Sequence, residues 1–231
     1  MAADDVAVDL ELVQAVDASG SVDPDEWQLQ LNGVAAAVRD PEVLTAIKSG
    51  AHGRIAVAVM AWADATLDKD ETDWFLIDSS DSAEAFAKAV EHFPRRVEGG
   101  TGIGSALAAA VRLMLYNQYA GARQVVDVSG DGTETPSREE ATILLPSGVA
   151  MADAYNVTVN GLAITNEVGD LDEYYRSNVA TGPGHFVMKA KNYVDFRVAI
   201  REKLLREISP DIAEGPSASE LALAGSDPSL R

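Results

Sequence analysis

The run from Arg54 to Trp62, RIAVAVMAW, is apolar at every position after the first. A sheet with one wet face needs alternating polar positions, and this run has none. It therefore reads as a strand covered on both faces, as in sheets that carry helices above and below. It is far shorter than the ~20 apolar residues of a membrane-spanning helix, and no other stretch approaches that length.

The rest of the sequence supplies the covering helices. Val8–Val16 reads as a first strand. Asp23-Pro24-Asp25-Glu26 then has a capping residue, a proline suited to the first helical position, and an acid at capping-box spacing. Trp27, Leu31, Val34 and Val38 follow at helical period. Pro41 begins a short helical piece through Ile47, ended by Gly50. Thr72–Ile77 suits an antiparallel hairpin partner of the apolar run at a sheet edge. Asp81–His92, with Asp81 and Glu84 in capping register, and the alanine-rich Ile103–Tyr116 read as helices; Arg123–Val128 reads as a strand.

Ser137–Tyr155 is expected to be mainly helical, capped by Ser137 with Glu140 and interrupted by Pro146 and Gly148. Val157–Ile164 and His185–Lys189 are strand candidates, and Leu171–Val179 and Tyr193–Ile208 helix candidates. Such alternation predicts a doubly wound α/β fold: a mostly parallel sheet of about six strands, one antiparallel edge strand, and helices on both faces. Residues 1–208 are expected to form this one domain. Residues 209–231, rich in Ser, Pro, Gly, Ala and Asp, are expected to be a flexible tail.

Charge narrows the function. With 18 basic and 37 acidic residues, the net charge is -19, and the basic residues are scattered, Arg95-Arg96 being the largest group before the last helix. That excludes a phosphate-neutralising surface, so nucleic acid is not an expected partner. There are no cysteines, which rules out disulfides and thiolate metal sites. His52, His92 and His185 are isolated and form no zinc pattern. The start, Met1-Ala2-Ala3-Asp4-Asp5, lacks the basic and apolar regions of a signal peptide.

Three distant stretches carry matching oxygen donors: Asp17-Ala18-Ser19-Gly20-Ser21, Gly99-Gly100-Thr101-Gly102 and Ser129-Gly130-Asp131-Gly132. Open α/β sheets bind ligands beyond the carboxyl ends of their strands, where strand order reverses. Asp17 and Asp131 stand at two such ends, and Thr101 opens the helix leading into the second strand. Asp17, Ser19, Ser21, Thr101 and Asp131 are thus candidate ligands of a divalent cation: Mg²⁺ first, with Mn²⁺ or Ca²⁺ as alternatives. Neutral hydroxyl ligands leave the ion much of its charge, which suits it to a carboxylate from outside, and Asp17 and Asp131 can act through water or by orienting the hydroxyls. Taken alone, Asp-x-Ser-x-Ser is as often a cap or turn as a ligand set. The ordered constellation is what favours metal.

In this order and fold context, the five residues resemble the metal-ion-dependent adhesion site of von Willebrand factor A domains, over about residues 8–205. The segments GRIAVAVMAW, GGTGIGSAL, RQVVDVSGDG, VNGLAI, YYR and GPGHFV are similar to the exported bacterial family called domain of unknown function 1194. The resemblance implies a fold, a metal site and export to the periplasm or beyond, with Met1 in place of a removed leader, but no partner; the open position on the ion adds the expectation of a binding module that captures an acidic group of a protein partner. It implies no catalytic activity. One departure concerns Thr133-Glu134-Thr135-Pro136, where the family often has Pro-Asn: Glu134 is expected beside the ion, either recruiting a second ligand or discouraging a carboxylate.

Rival readings remain. The glycine-rich Gly99–Gly104 lacks a phosphate-binding lysine and dinucleotide spacing. A metal-dependent hydrolase would need a base near Asp17, which has no second acid two positions later. A metal-independent structural subunit is the third. Asp127, inside an apolar strand, is expected to be a hydrogen-bonded core residue, and Trp62 and Trp74 packing residues.

Overall fold

The computed structural model describes residues 5–135 and 142–209. In chain order its elements are β1 (Val6–Val8), β2 (Leu10–Asp17), α1 (Pro24–Arg39), α2 (Pro41–Ser49), β3 (Ile55–Trp62), β4 (Asp70–Glu71), β5 (Phe75–Ile77) and α3 (Ser80–Glu91). Then come α4 (Ile103–Leu115), β6 (Tyr119–Gly121), β7 (Gln124–Gly130), α5 (Leu145–Ala154), β8 (Thr158–Ile164), α6 (Leu171–Asn178), β9 (Val187–Ala190) and α7 (Tyr193–Ile208).

The main sheet has the order β4-β3-β2-β7-β8-β9, with β5 also on β3. Strands β3, β2, β7, β8 and β9 run parallel, and β4 and β5 are antiparallel to β3. The fold is therefore the expected α/β one, its edge carried by two short pieces. Every residue of β2 and β3 is buried, because one apolar layer lies under α1, α2, α3 and α7 and a second under α4, α5 and α6. Trp62 and Trp74 pack in the second layer. Strand order reverses between β2 and β7, leaving a crevice beyond their carboxyl ends.

Several local expectations are corrected. The first strand divides at Asp9, whose carboxylate accepts from His52 N (2.9 Å) and Arg54 N (3.3 Å). This leaves β1 to pair with β6 in a separate two-stranded sheet. Helix α3 is capped by Ser79 with Ser82, not by Asp81 with Glu84, and Glu84 instead pairs with Arg39 at 2.6 Å. Pro146 does not interrupt a helix; it sits in the first turn of α5, where its missing N–H costs no bond. Gly148 lets α5 approach α4 closely, since a Cβ there would lie 2.4 Å from Gly104 O. The box on Asp23 and Glu26 forms as expected. The Ser137–Glu140 cap and the tail beyond Ser209 lie outside the described residues.

Candidate metal centre

β2 ends on Asp17, which is fully buried, and the chain then turns so that Ser19 N donates to Asp17 Oδ1 at 2.7 Å. The turn also brings Ser19 Oγ to within 3.3 Å of Ser21 Oγ. Ser21 Oγ donates to Asp131 Oδ1 at 2.7 Å, which joins the first loop to the one after β7. The other oxygen of Asp131 accepts from Tyr193 OH at 3.0 Å. Thr101 arrives on the third loop, fixed by Gly20 N to Gly99 O (2.8 Å) and Gly102 N to Ala63 O (2.8 Å). Its Oγ1 lies 3.4 Å from where a Cβ on Gly132 would be. Two glycines make these approaches possible. A Cβ at Gly102 would sit 2.6 Å from Ala65 N, and one at Gly130 would sit 2.7 Å from both Asp17 Oδ2 and Tyr175 OH.

The electrostatics are one-sided. Burial pushes the Asp17 carboxyl up to about 7, the hydrogen bonds from Ser19 oppose the rise, and the Asp131 charge adds to it. Asp17 Oδ2 is buried with no hydrogen-bond partner among the described residues, as are Tyr175 OH and Trp62 Nε1 near it. No ion pair to Asp17 or Asp131 is formed among the described residues. Burial and the Asp131 charge hold the Tyr193 phenol far above its ordinary value, so it remains a donor. Two buried carboxylates, one with an unsatisfied oxygen, and three hydroxyls on their rim form an oxygen-only donor set. Such a donor set fits a hard divalent cation.

Four surrounding groups escaped the sequence reading. Arg95 Nη2 donates to Ala18 O (3.0 Å) and Ser19 O (2.8 Å), holding the first loop by its backbone. Gln30 Nε2 donates to Asp17 O at 2.8 Å from the buried face of α1. A polar residue at that helical position, next to Leu31, was the available signal. Thr135 braces Thr101 through Oγ1 (3.0 Å) and N (2.8 Å). Tyr193 had no sequence signal at all. Glu134 has a further role that the sequence did not show: its Oε2 accepts from Gly104 N at 3.1 Å at the start of α4, where Gly102 supplies no side-chain cap, while its Oε1 is buried with no hydrogen-bond partner among the described residues. Burial raises its carboxyl, opposed by backbone bonds from Gly104 and Ile103. Asp127 lies in the core, as expected, but its close partner is Lys203.

Residues 7–212 match the family described as protein of unknown function DUF1194, and the chain belongs to that family. No curated protein matches it in sequence. Among solved structures it is similar to proximal thread matrix protein 1 of the mussel byssus, with 18% identity and TM-score 0.61, covering 88% of this chain and 47% of that one. A further structure of that mussel protein has a zinc-occupied MIDAS motif (17% identity, TM-score 0.59, 88% and 46% covered). The von Willebrand domain of the type V pilus tip protein Mfa5 from Porphyromonas gingivalis gives 11% identity and TM-score 0.58, with 93% and 99% covered. The pilus adhesin SpaC from Lactobacillus rhamnosus GG gives 13% and 0.59, with 90% and 31% covered. The chain spans about half of the mussel protein and about a third of SpaC. At these identities the likeness establishes the fold, that of a von Willebrand factor A domain.

Proposed function

We propose that this member of the DUF1194 family is an exported protein-binding module working through a divalent cation held by Ser19, Ser21 and Thr101, with Asp17 and Asp131 as their acidic support. The observation that carries this reading is the hydrogen-bonded chain Ser19–Ser21–Asp131 beside the unsatisfied Asp17 Oδ2. Mg²⁺ is the preferred ion, with Mn²⁺ and Ca²⁺ as alternatives; a bound ion supplies an electrophilic position for a carboxylate of a protein partner or neighbouring subunit. The chain's own residues do the positioning. Tyr193 fixes one oxygen of Asp131, Asp131 orients Ser21, and Arg95 and Gln30 hold the loop backbone.

One oxygen of Glu134 is engaged at the α4 start, which ties that carboxylate to the helix. Asp17 is a poor nucleophile for a hydrolase, being fully buried and bonded to its own loop. The pilus and byssus proteins of similar fold support an adhesion or assembly role, in the periplasm or outside the cell. No helix among the described residues is long and apolar enough to cross a membrane.

Pull-down from periplasmic extract tests this, with Mg²⁺ or with EDTA, beside the Asp17→Ala variant. A partner band present only for the wild-type protein with Mg²⁺ is expected. A band that survives both EDTA and Asp17→Ala would assign binding to another surface.

A further inference from the structure

In the middle of the sheet, remote from the rim, Gln14, Asp127 and Asn160 lie in one register row across β2, β7 and β8. Helix α7 lays Lys203 and Glu207 onto this row. Lys203 Nζ lies 2.6 Å from Asp127 Oδ1 and 2.6 Å from Glu207 Oε1, and all three side chains are 0% exposed. Asn160 Nδ2 donates to Glu207 Oε1 at 3.0 Å, and the Phe186 ring centre is 5.4 Å from Nζ.

This is an unusual way to bury charge. One ammonium faces two carboxylates, leaving the ionised trio one negative charge in excess where water is excluded. Desolvation of such ions costs several kcal/mol each and is recovered only with complete pairing. Pairing here is incomplete: among the described residues, Glu207 Oε2 and both oxygens of Asp127 have no donor in hydrogen-bond alignment, and Asp127 leans on the nearby Lys203 and Gln14. Nζ stands near Asp127 Oδ1 without the alignment of a hydrogen bond. Burial pushes the Asp127 carboxyl up, the Lys203 charge opposes this, and the Glu207 charge adds to it. With one carboxyl oxygen at 2.6 Å, the carboxyl carbon is no farther than ~3.8 Å from the nitrogen, given a C–O bond of ~1.2 Å. That is near the ~3–3.5 Å of reacting atoms held for attack.

We propose that Lys203 and Asp127 condense into an intramolecular isopeptide bond, with Glu207 as the proton carrier. Glu207 takes a proton from the Lys203 ammonium, and the freed lone pair attacks Asp127 Cγ. Glu207 passes that proton, and then a second from the same nitrogen, to the departing oxygen. The C–N bond forms, the C–O bond breaks, one water leaves, and Glu207 ends as it began. No oxidant or co-reactant is required. The product replaces two opposite buried charges with a neutral amide and ties α7 covalently to the central strand β7. Arginine in place of Lys203 would keep the charge and lose the chemistry.

Mass spectrometry of the denatured full chain decides it. The wild-type mass is expected to be one water below that of the sequence. A tryptic digest should contain a branched peptide joining residues 124–138 to 202–206, because acylated Lys203 is not cleaved. Lys203→Arg and Glu207→Gln should restore the full mass, with far-UV circular dichroism confirming that they fold. Asp127→Asn should lose one ammonia in place of the water and give the same branched peptide. A wild-type chain of full mass overturns the proposal, and that result does not depend on any variant folding. So does a water loss on a linear peptide, such as a succinimide at Asp131-Gly132, or an ammonia loss from the wild-type chain, which would place the reaction at an asparagine instead of Asp127.

Discussion

Two pairs of buried acids meet along β7, one around Asp127 in mid-strand and one around Asp131 just past its end, and the molecule treats them oppositely. In mid-sheet, Asp127 and Glu207 receive Lys203 from α7, a counter-charge built into the sequence. At the rim, among the described residues, Asp17 and Asp131 receive hydroxyls and a backbone N–H but no cation. A helix crosses the middle of β7 and can deliver a long cationic side chain there. Beyond the strand end, short loops carry Ser19, Ser21 and Thr101, which bring dipoles and no charge. The middle of the strand has a cation from the chain itself, whereas the rim has none among the described residues.

The largest effect should come from Lys203→Met. Methionine can neither neutralise Asp127 and Glu207 nor condense with Asp127, and urea unfolding at neutral pH should show a loss of about 3–5 kcal/mol. The response to Mg²⁺ should survive. A loss below ~1 kcal/mol would mean that the pair does not depend on Lys203.

Next is a pH dependence belonging to the rim. Asp17 titrates near 7 in the folded protein against an ordinary 3.8, so the folded state holds its proton more tightly than the unfolded chain does. Stability is fully retained below about pH 4 and falls as pH rises toward 7, by up to ~4 kcal/mol without metal. Asp17→Asn should remove that slope, and saturating Mg²⁺ should flatten it by holding the carboxylate form. Equal slopes in the two proteins would assign the pH dependence elsewhere.

A smaller effect follows from metal binding itself. Mg²⁺ at 100 times its dissociation constant should stabilise the wild-type fold by about 2.7 kcal/mol. Thermal melting should show no such gain for Asp17→Ala. A melt indifferent to EDTA, Mg²⁺, Mn²⁺ and Ca²⁺ would remove the cation from the rim. The smallest change is expected for Glu134→Gln, about 0.3–1 kcal/mol from weakening the α4 start. It should not move the Mg²⁺ midpoint; a large shift would return Glu134 to the neighbourhood of the ion.

Much of the fold was legible because its rules are local. The apolar run Ile55–Trp62 demanded cover on both faces and has it, and Asp23 with Glu26 closes its box within one turn. Other local signals failed where a distant group competed. Asp9 left the strand for the N–H groups of His52 and Arg54, and Glu84 left its cap for Arg39. The candidate ligands were nameable because hydroxyls and acids at strand ends keep their meaning without coordinates. Their supports were not: Tyr193 and Arg95 look like ordinary helix and loop residues until the chain is folded.

The sequence by itself determined the class of fold, the oxygen character of the rim and the exclusion of thiolate and phosphate chemistry, since these follow from composition, period and donor type. Only the tertiary structure decided which acids share a site. Ser21 meets Asp131 across 110 residues and Tyr193 meets it across 62, distances over which no local propensity acts. Strand order and the path of α7 set those meetings, and with them which pair of acids finds its cation inside the protein.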